Sequence, residues 1–520
     1  MRSPIIYLLA VPLALAAIAP LFVLLQLAEG YMSIIDVRNL QLLGNTLALA
    51  LLAGIGSVVI GVPLAFFTTF VQLPLASLWL ALFAAPLAIP SYLGAFAFYA
   101  AFGPGGEIES LLGLATPKVG GLWGCALVIS LYTYPFVMLA TRASLLGMDA
   151  NTIHAARTLG VPLRQCLVRV VLPRAVPSIA AGALLTSLYA VSDFGTPAIM
   201  NYDTFTRLIY VEYNAYGLSQ AALFSLQLLL LVGFFLLLEG RLRTVPEKPG
   251  EVLTLRVSRS EVFLTAASTT PVLFLSLALP LVIFAIWLQR EGAAAFDLSI
   301  AWNSALASGL AACVAVLAAM PIALAARRGA IGRLLERVTF FGFGVPGIVM
   351  GTVLVYVGLR FPVLYQTLAL LVLAYVMRFF SLAVSATRSS FEQLDGSYQH
   401  AARLLGAGKF ETLVRVTLPI SIKGILAGAA LVFLEAMREL PATLLLAPTG
   451  FETLATYLWR VYEAGYFGRA ALPSLLLIVV SAVGLVLVLL GEGSRRRRRH
   501  RSRESSIEAT GATTFHDSVS

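Results

Sequence analysis

Apolar stretches of about twenty residues alternate with short polar breaks along nearly the whole chain. A helix of about 20 residues crosses the roughly 30 Å hydrocarbon core of a bilayer. Inside lipid a spanning segment must satisfy its own backbone hydrogen bonds, which leaves helices or a closed barrel. A barrel would be written in short alternating strands, whereas these runs are long and uniformly apolar. The pattern predicts an all-α polytopic membrane protein. Spans are expected near 4–26, 46–70, 77–102, 122–146, 176–199 and 220–239. A second set is expected near 267–288, 302–326, 338–359, 366–388, 421–446 and 472–490. That gives about twelve transmembrane helices, divided into a first half over 1–245 and a second over 246–493. Residues 494–520 form a basic, disordered tail on this reading.

Composition agrees: the 520 residues are 59% hydrophobic and only 12% charged, where soluble domains carry about 25% charged residues. The net charge of +10 would suggest nucleic acid in a soluble protein. Here Lys and Arg instead gather in alternate loops, so no nucleic-acid partner is expected. One such loop holds Arg157, Arg164, Arg169 and Arg174, and later ones hold Arg327, Arg328, Arg333 and Arg337, then Arg403, Lys409, Arg415 and Lys423. The positive-inside rule makes these loops and both termini cytoplasmic. The first apolar run, after Met1 and Arg2, is long for a signal peptide and is taken as an uncleaved span. The tail motif RRRRRHRSR (495–503) is an orientation signal or a contact for anionic membrane lipid. Cys125, Cys166 and Cys313 lie far apart and the four histidines are scattered, so neither a disulfide framework nor a metal site is expected.

The polar breaks contain a repeat. Residues 149–182 align without a gap to 395–428, with 16 identities in 34 positions. The pairs include Asp149/Asp395, His154/His400, Ala155/Ala401, Ala156/Ala402 and Arg157/Arg403. Gly160/Gly406, Arg169/Arg415, Pro173/Pro419 and Gly182/Gly428 also match, while the flanking spans match only in hydropathy. Identity is thus highest in a cytoplasmic loop, where the bilayer imposes no composition. Asp149 or Asn151 is placed to cap a short helix over 152–159, which Gly160 ends in a left-handed conformation. Pro162 suits the first turn of a second helix, with Leu163, Leu167 and Val170 on one face. Its counterpart uses Phe410, Leu413 and Val414, and Pro173 is expected to break the chain before the next span.

The pattern H-A-A-x3-G-x9-V-x-L-P, at 154–173 and again at 400–419, resembles the EAA loop of ABC importer permeases. The resemblance implies a type I permease fold with two pseudo-symmetric halves. It also implies coupling through His154, Ala155, Ala156, Arg157, Gly160, Arg169 and Pro173 in one loop. His400, Ala401, Ala402, Arg403, Gly406, Arg415 and Pro419 would do the same in the other. The implied partners are two ATPase subunits and a periplasmic or lipid-anchored substrate-binding protein, in a bacterial inner membrane. Both copies depart from the family in carrying His where it has Glu, which puts an ionic contact of that Glu in doubt. Gly406-Ala-Gly408-Lys409 imitates a phosphate loop, but Phe410 stands at the Ser/Thr position. This chain is therefore expected to be no enzyme and to bind no cofactor, ATP and Mg being used by the partner.

The stretches 192–210 and 438–459, with IPSYLGAFAFYAAFGPGG (89–106) and FGVPGIVMGTVL (343–354), are similar to ferric iron permeases. Thiamine, phosphonate and polyamine permeases share the layout. Asp193 and Glu439 occupy equivalent repeat positions, each twenty residues after its loop proline, or about 30 Å of helix. With Glu435 and Arg438 they are candidates for the translocation path, because intramembrane charges face a cavity or a partner. Two readings stay open: the carboxylates receive a hard cation such as Fe³⁺, or Arg438 neutralises Glu435 or Glu439 as a structural pair. A secondary transporter of twelve helices is the competing class, though it predicts no repeat concentrated in cytoplasmic loops.

Overall fold

The computed structural model describes residues 4–27, 37–113, 115–148, 150–241, 259–292, 296–327, 329–392, 394 and 396–483. Among the described residues the regular elements are helices. Eight are long and apolar enough to cross a membrane, and counting each of three bent pairs as one span gives up to eleven. The run expected at 472–490 falls on an apolar helix described over Phe467–Val483. Asp149, Asp395 and the basic tail lie outside the described residues.

Two expected spans are not straight helices. The span near 77–102 is Ala76–Ala88 followed by Ser91–Leu111, bent by 86°. The span near 338–359 is Ala330–Gly344 followed by Gly347–Arg360, bent by 99°. Both breaks have one cause. A proline bars the α conformation at the residue before it, and Ile89 and Val345, just before Pro90 and Pro346, are extended at ψ 119° and 121°. Hydropathy sums polarity over a window and carries no direction, so it joined each pair.

The fifth span of each half also ends early. The helix through Leu172–Ser192 stops at Asp193, and the separate short helix Gly195–Ile199 follows. In the second half Leu418–Met437 gives way to Pro441–Leu446. Both candidate carboxylates therefore sit in backbone breaks.

Small residues allow the spans to approach closely, as membrane helix packing requires. Val37–Phe70, Gly121–Gly147 and Leu172–Ser192 pack together in the first half. A Cβ on Gly182 would stand 2.6 Å from the Cα of Val137, and one on its repeat mate Gly428 would stand 2.9 Å from the Cβ of Ala386. Ser187 donates across to the Ala50 carbonyl (2.9 Å), and Ser57 bonds Thr133 (3.1 Å). In the second half Leu298–Ala326, Leu368–Glu392 and Leu418–Met437 form the matching group. The halves interleave: Pro4–Leu27 packs on Leu298–Ala326 and Ala330–Gly344, and Leu279–Glu291 packs on Ser91–Phe102. Outward faces stay apolar, as with Leu47, Leu51, Ile55 and Val59, one helical turn apart and all exposed. That stripe is a lipid-facing surface.

Candidate functional site

The repeated loop has one backbone geometry in both copies. Ala150–Thr158 and Gly396–Leu404 are short helices. The first begins at Ala150, so Asn151 lies inside the helix and not at its cap. Each ends in a glycine at positive φ, 81° at Gly160 and 89° at Gly406. The Gly160 N–H donates to the Arg157 carbonyl (3.0 Å) and the Val161 N–H to the Ala156 carbonyl (3.2 Å). Gly406 donates to Arg403 (3.0 Å) and Ala407 to Ala402 (3.0 Å) in the same way. This pair of bonds is the Schellman cap, and the second alanine of each triplet supplies its distant acceptor.

After the cap, the chain enters a helix that runs into the next span without the break expected at Pro173. A five-residue π turn, Leu167–Val171 in one copy and Leu413–Thr417 in the other, precedes each proline. A proline ring clashes with the carbonyl four residues back. Widening the preceding turn to an i→i−5 pattern, seen in Leu172 N–H donating to the Leu167 carbonyl, moves that carbonyl aside. Pro173 and Pro419 are thereby carried within continuous helices.

Burial divides the loop into two faces. His154, Ala155, Arg157, Leu159, Gly160, Arg169 and Pro173 are exposed, and so are their counterparts His400, Ala401, Arg403, Leu405, Gly406, Arg415 and Pro419. Every one of these pairs is identical, whereas the exposed Thr158, Pro162 and Gln165 correspond to Leu404, Gly408 and Glu411. The undersides differ. Ile153, Cys166 and Val171 are buried against Phe70, Tyr134 and Met138 in the first half. At the same positions the second copy has Gln399, Thr412 and Thr417, with Gln399 Nε2 donating to Thr417 Oγ1 (3.2 Å). The Thr417 hydroxyl in turn donates to the Thr412 carbonyl (3.3 Å). The second copy also adds exposed Leu404 and Phe410, so Phe410 is surface and not underside.

At the far end of these helices the breaks of both halves meet around one cavity of about 120 Å³. Asp193 and Glu439 both line it, as do Glu435 and Arg438. Asp193 accepts from Ser91 Oγ (2.9 Å) and from the Gly195 N–H (3.2 Å), and Tyr189 OH donates to the same Ser91 hydroxyl (2.9 Å). Glu439 is buried, ion-paired with Arg378, and accepts from the Ala442 N–H (3.2 Å). Arg438 pairs with Glu435 and sends Nη1 to the Leu87 carbonyl (3.0 Å) in the first half's break. That bond joins the two halves.

Of the two structural pairings expected for Arg438, the one with Glu435 forms. The partner of Glu439 is Arg378, which sequence reasoning did not single out. Its signal was present: one arginine inside the apolar run assigned to span 366–388. Ser91, Tyr92 and Tyr189 were missed as well, since a hydroxyl within a span carries no mark of its own. A second, part-buried pair, Arg388 with Glu336, ties Leu368–Glu392 to the first arm of the second broken span.

Comparison with known proteins places these features in context. A model of the family described as "Binding-protein-dependent transport system inner membrane component" matches residues 57–240 and again 315–497. The chain is 28% identical over 468 residues to the Fe(3+)-transport system permease protein FbpB 2 of Haemophilus influenzae, covering 87% of this chain and 90% of that protein. It is 25% identical over 459 residues to the probable ABC transporter permease protein y4fN of Sinorhizobium fredii, covering 79% and 80%. A probable molybdenum ABC transporter permease of Haloferax volcanii is 30% identical over 181 residues, which is 34% of this chain and 65% of that one.

Proposed function

This chain belongs to the family of binding-protein-dependent transport system inner membrane components, with two copies of the domain in one polypeptide, and from that premise we propose that it is the permease of an ATP-driven ferric iron importer. It is a multi-pass ABC permease. The proposal adds its cargo, its drive and its partners. Two ATPase subunits dock on the loops at 149–173 and 395–419, close on ATP, and rock the halves between inward and outward access. A periplasmic or lipid-anchored binding protein delivers the cargo at the opposite end. The chain lies in a bacterial inner membrane with its basic loops and both termini in the cytoplasm.

One observation carries the coupling role: most loop positions exposed in both copies are identical, Thr158, Pro162 and Gln165 being the exceptions, while the positions buried in the first copy, Ile153, Cys166 and Val171, all differ in the second. A loop kept for its own fold would match on the underside first. An outside partner that reads both copies demands the opposite, and two copies of one ATPase meet that demand. His154 and His400 replace the family's acid on this surface, so the partner groove is expected to offer no base there. Ferric iron is supported by similarity over most of the chain to an Fe(3+) permease, and by three acids against two arginines around the cavity. A molybdenum-type oxyanion is the second reading, favoured by the molybdenum permease matches and by Arg378 and Arg438.

The test replaces Gly160 and Gly406 together by valine. Neither added side chain meets an atom within 4 Å at its Cβ, so the change acts through the left-handed backbone alone. Each position costs about 1–2 kcal/mol, and the caps open. ATP-driven iron uptake and co-purification of the ATPase are both expected to fall. Normal values for both would sink the coupling role.

A further inference from the structure

Three features of the cavity bear on what it takes. First, its charges do not balance. Glu439 is paired with Arg378 and Glu435 with Arg438, while among the described residues Asp193 has no cationic partner. Its carboxylate is held by neutral donors, the Ser91 hydroxyl and the Gly195 N–H, with Thr196 beside it. Secondly, Tyr92 lines the same cavity, is 93% buried by its 7% exposure, and its hydroxyl has no hydrogen-bond partner. That hydroxyl lies within electrostatic range of Glu439, Arg438 and Tyr189. An unsatisfied buried hydroxyl costs about 1–3 kcal/mol, a cost that a passing ligand would relieve. Thirdly, the volume is about 120 Å³, where pockets for organic ligands occupy about 300–1,000 Å³.

From these we infer that the cavity is a transient way-station for a small, partly hydrated hard metal cation, with the Asp193 carboxylate as its charged ligand and the Tyr92 and Ser91 hydroxyls as neutral oxygen donors. The inference rests on the ferric iron reading above and deepens it. The surplus negative charge repels an oxyanion, and the size excludes a thiamine or a polyamine. Hard cations take oxygen ligands, and those on offer here are a carboxylate, hydroxyls and water. Among the described residues no three His, Cys, Asp or Glu side chains converge to hold a metal. The site therefore binds weakly, as passage requires, because a conducting site must release what it receives. Arg378 and Arg438 neutralise the other two acids, which keeps the cation from being trapped.

The alternative is that Asp193 serves only the fold, capping the short helix after it. Asp193→Asn separates the two, since the amide oxygen still accepts from the Gly195 N–H, the amide NH2 can donate to the Ser91 hydroxyl in place of accepting from it, and the charge is gone. Tyr92→Phe separates them again, because the hydroxyl it removes has no partner to lose. The experiment uses the full permease with its ATPase and its Fe³⁺-loaded binding protein in proteoliposomes, and reads iron carried per ATP hydrolysed. The ratio is expected to fall at least about tenfold in Asp193→Asn, the worth of one charge-assisted contact. It should fall about threefold or more in Tyr92→Phe, the worth of a neutral one. A ratio unchanged in both variants overturns the site, whether or not uptake and hydrolysis decline together. A parent complex that carries molybdate or an organic cargo and no iron overturns the iron reading, and the site with it.

Discussion

At the loop end of the repeat, His154 and His400, Arg157 and Arg403, and Leu159 and Leu405 present the same side chains on the same capped helix. At the other end of the helices that follow, Asp193 and Glu439 occupy the same backbone break but keep different company. One is held by hydroxyl and amide donors, the other by an arginine from Leu368–Glu392. The contrast follows from what each end meets. On the proposed coupling role, two copies of one partner would impose one surface on both loops and so preserve duplication there. A cargo that passed between the halves, as proposed, would meet both carboxylates in one cavity, and nothing would require them to be alike. The repeat position of Arg378 is Tyr132, and that of Arg438 is Ser192. The second half has thus become the ion-paired wall and the first half the hydroxyl-bearing one.

The largest effect is expected where that difference is sharpest. Glu439→Gln strands the half-buried Arg378 guanidinium, and breaking such a pair costs at most about 3–5 kcal/mol. Asp193→Asn strands no charge and is expected to cost about 1 kcal/mol or less. Thermal unfolding of the two purified variants compares them, and equal losses would erase the asymmetry.

The loops supply the next contrast. Leu159→Asp or Leu405→Asp leaves stability within about 0.5 kcal/mol, as exposed substitutions do, since these side chains are 84% and 89% exposed. Each is expected to cut ATPase co-purification at least about tenfold, the effect of losing about 1.4 kcal/mol of contact. If only one of the two mattered, the loops would not share a partner surface.

The smallest effects belong to the undersides. Thr417→Val removes the acceptor for Gln399, at about 1 kcal/mol. Val171→Thr buries a hydroxyl in an apolar cluster at about 1–3 kcal/mol. Both are expected to leave ATPase co-purification unaltered when measured well below the unfolding temperature. A large loss in either would mean that the buried faces, too, are read by the partner.

Much of this was legible in the chain. Hydropathy located the spans, and the glycine and alanine spacing of HAARTLG and HAARLLG located the capped helices, because a left-handed C-terminus needs glycine. The two bends were written in IPSY and VPGI, but a window average cannot register a change of direction. The fate of Pro173 and Pro419 was hidden for a related reason. A proline ends a helix unless the turn before it widens, and the π turns arise from how the whole loop is carried into the span. The cavity was half visible. Asp193, Glu435, Arg438 and Glu439 announced themselves as charges in apolar surroundings, and Arg378 did so too, within a run judged only by its length. Ser91, Tyr92 and Tyr189 became meaningful once the breaks of the two halves were seen to meet.

The equivalence of the two loops is the central claim, and a direct measurement of it is the composition of the purified complex. The 55.5 kDa chain is isolated in detergent with its ATPase and weighed intact by native mass spectrometry. Two ATPase copies per chain are expected, falling to one when only Gly160 or only Gly406 is replaced by valine. One copy on the unmodified chain, or two copies retained after both replacements, would contradict the account.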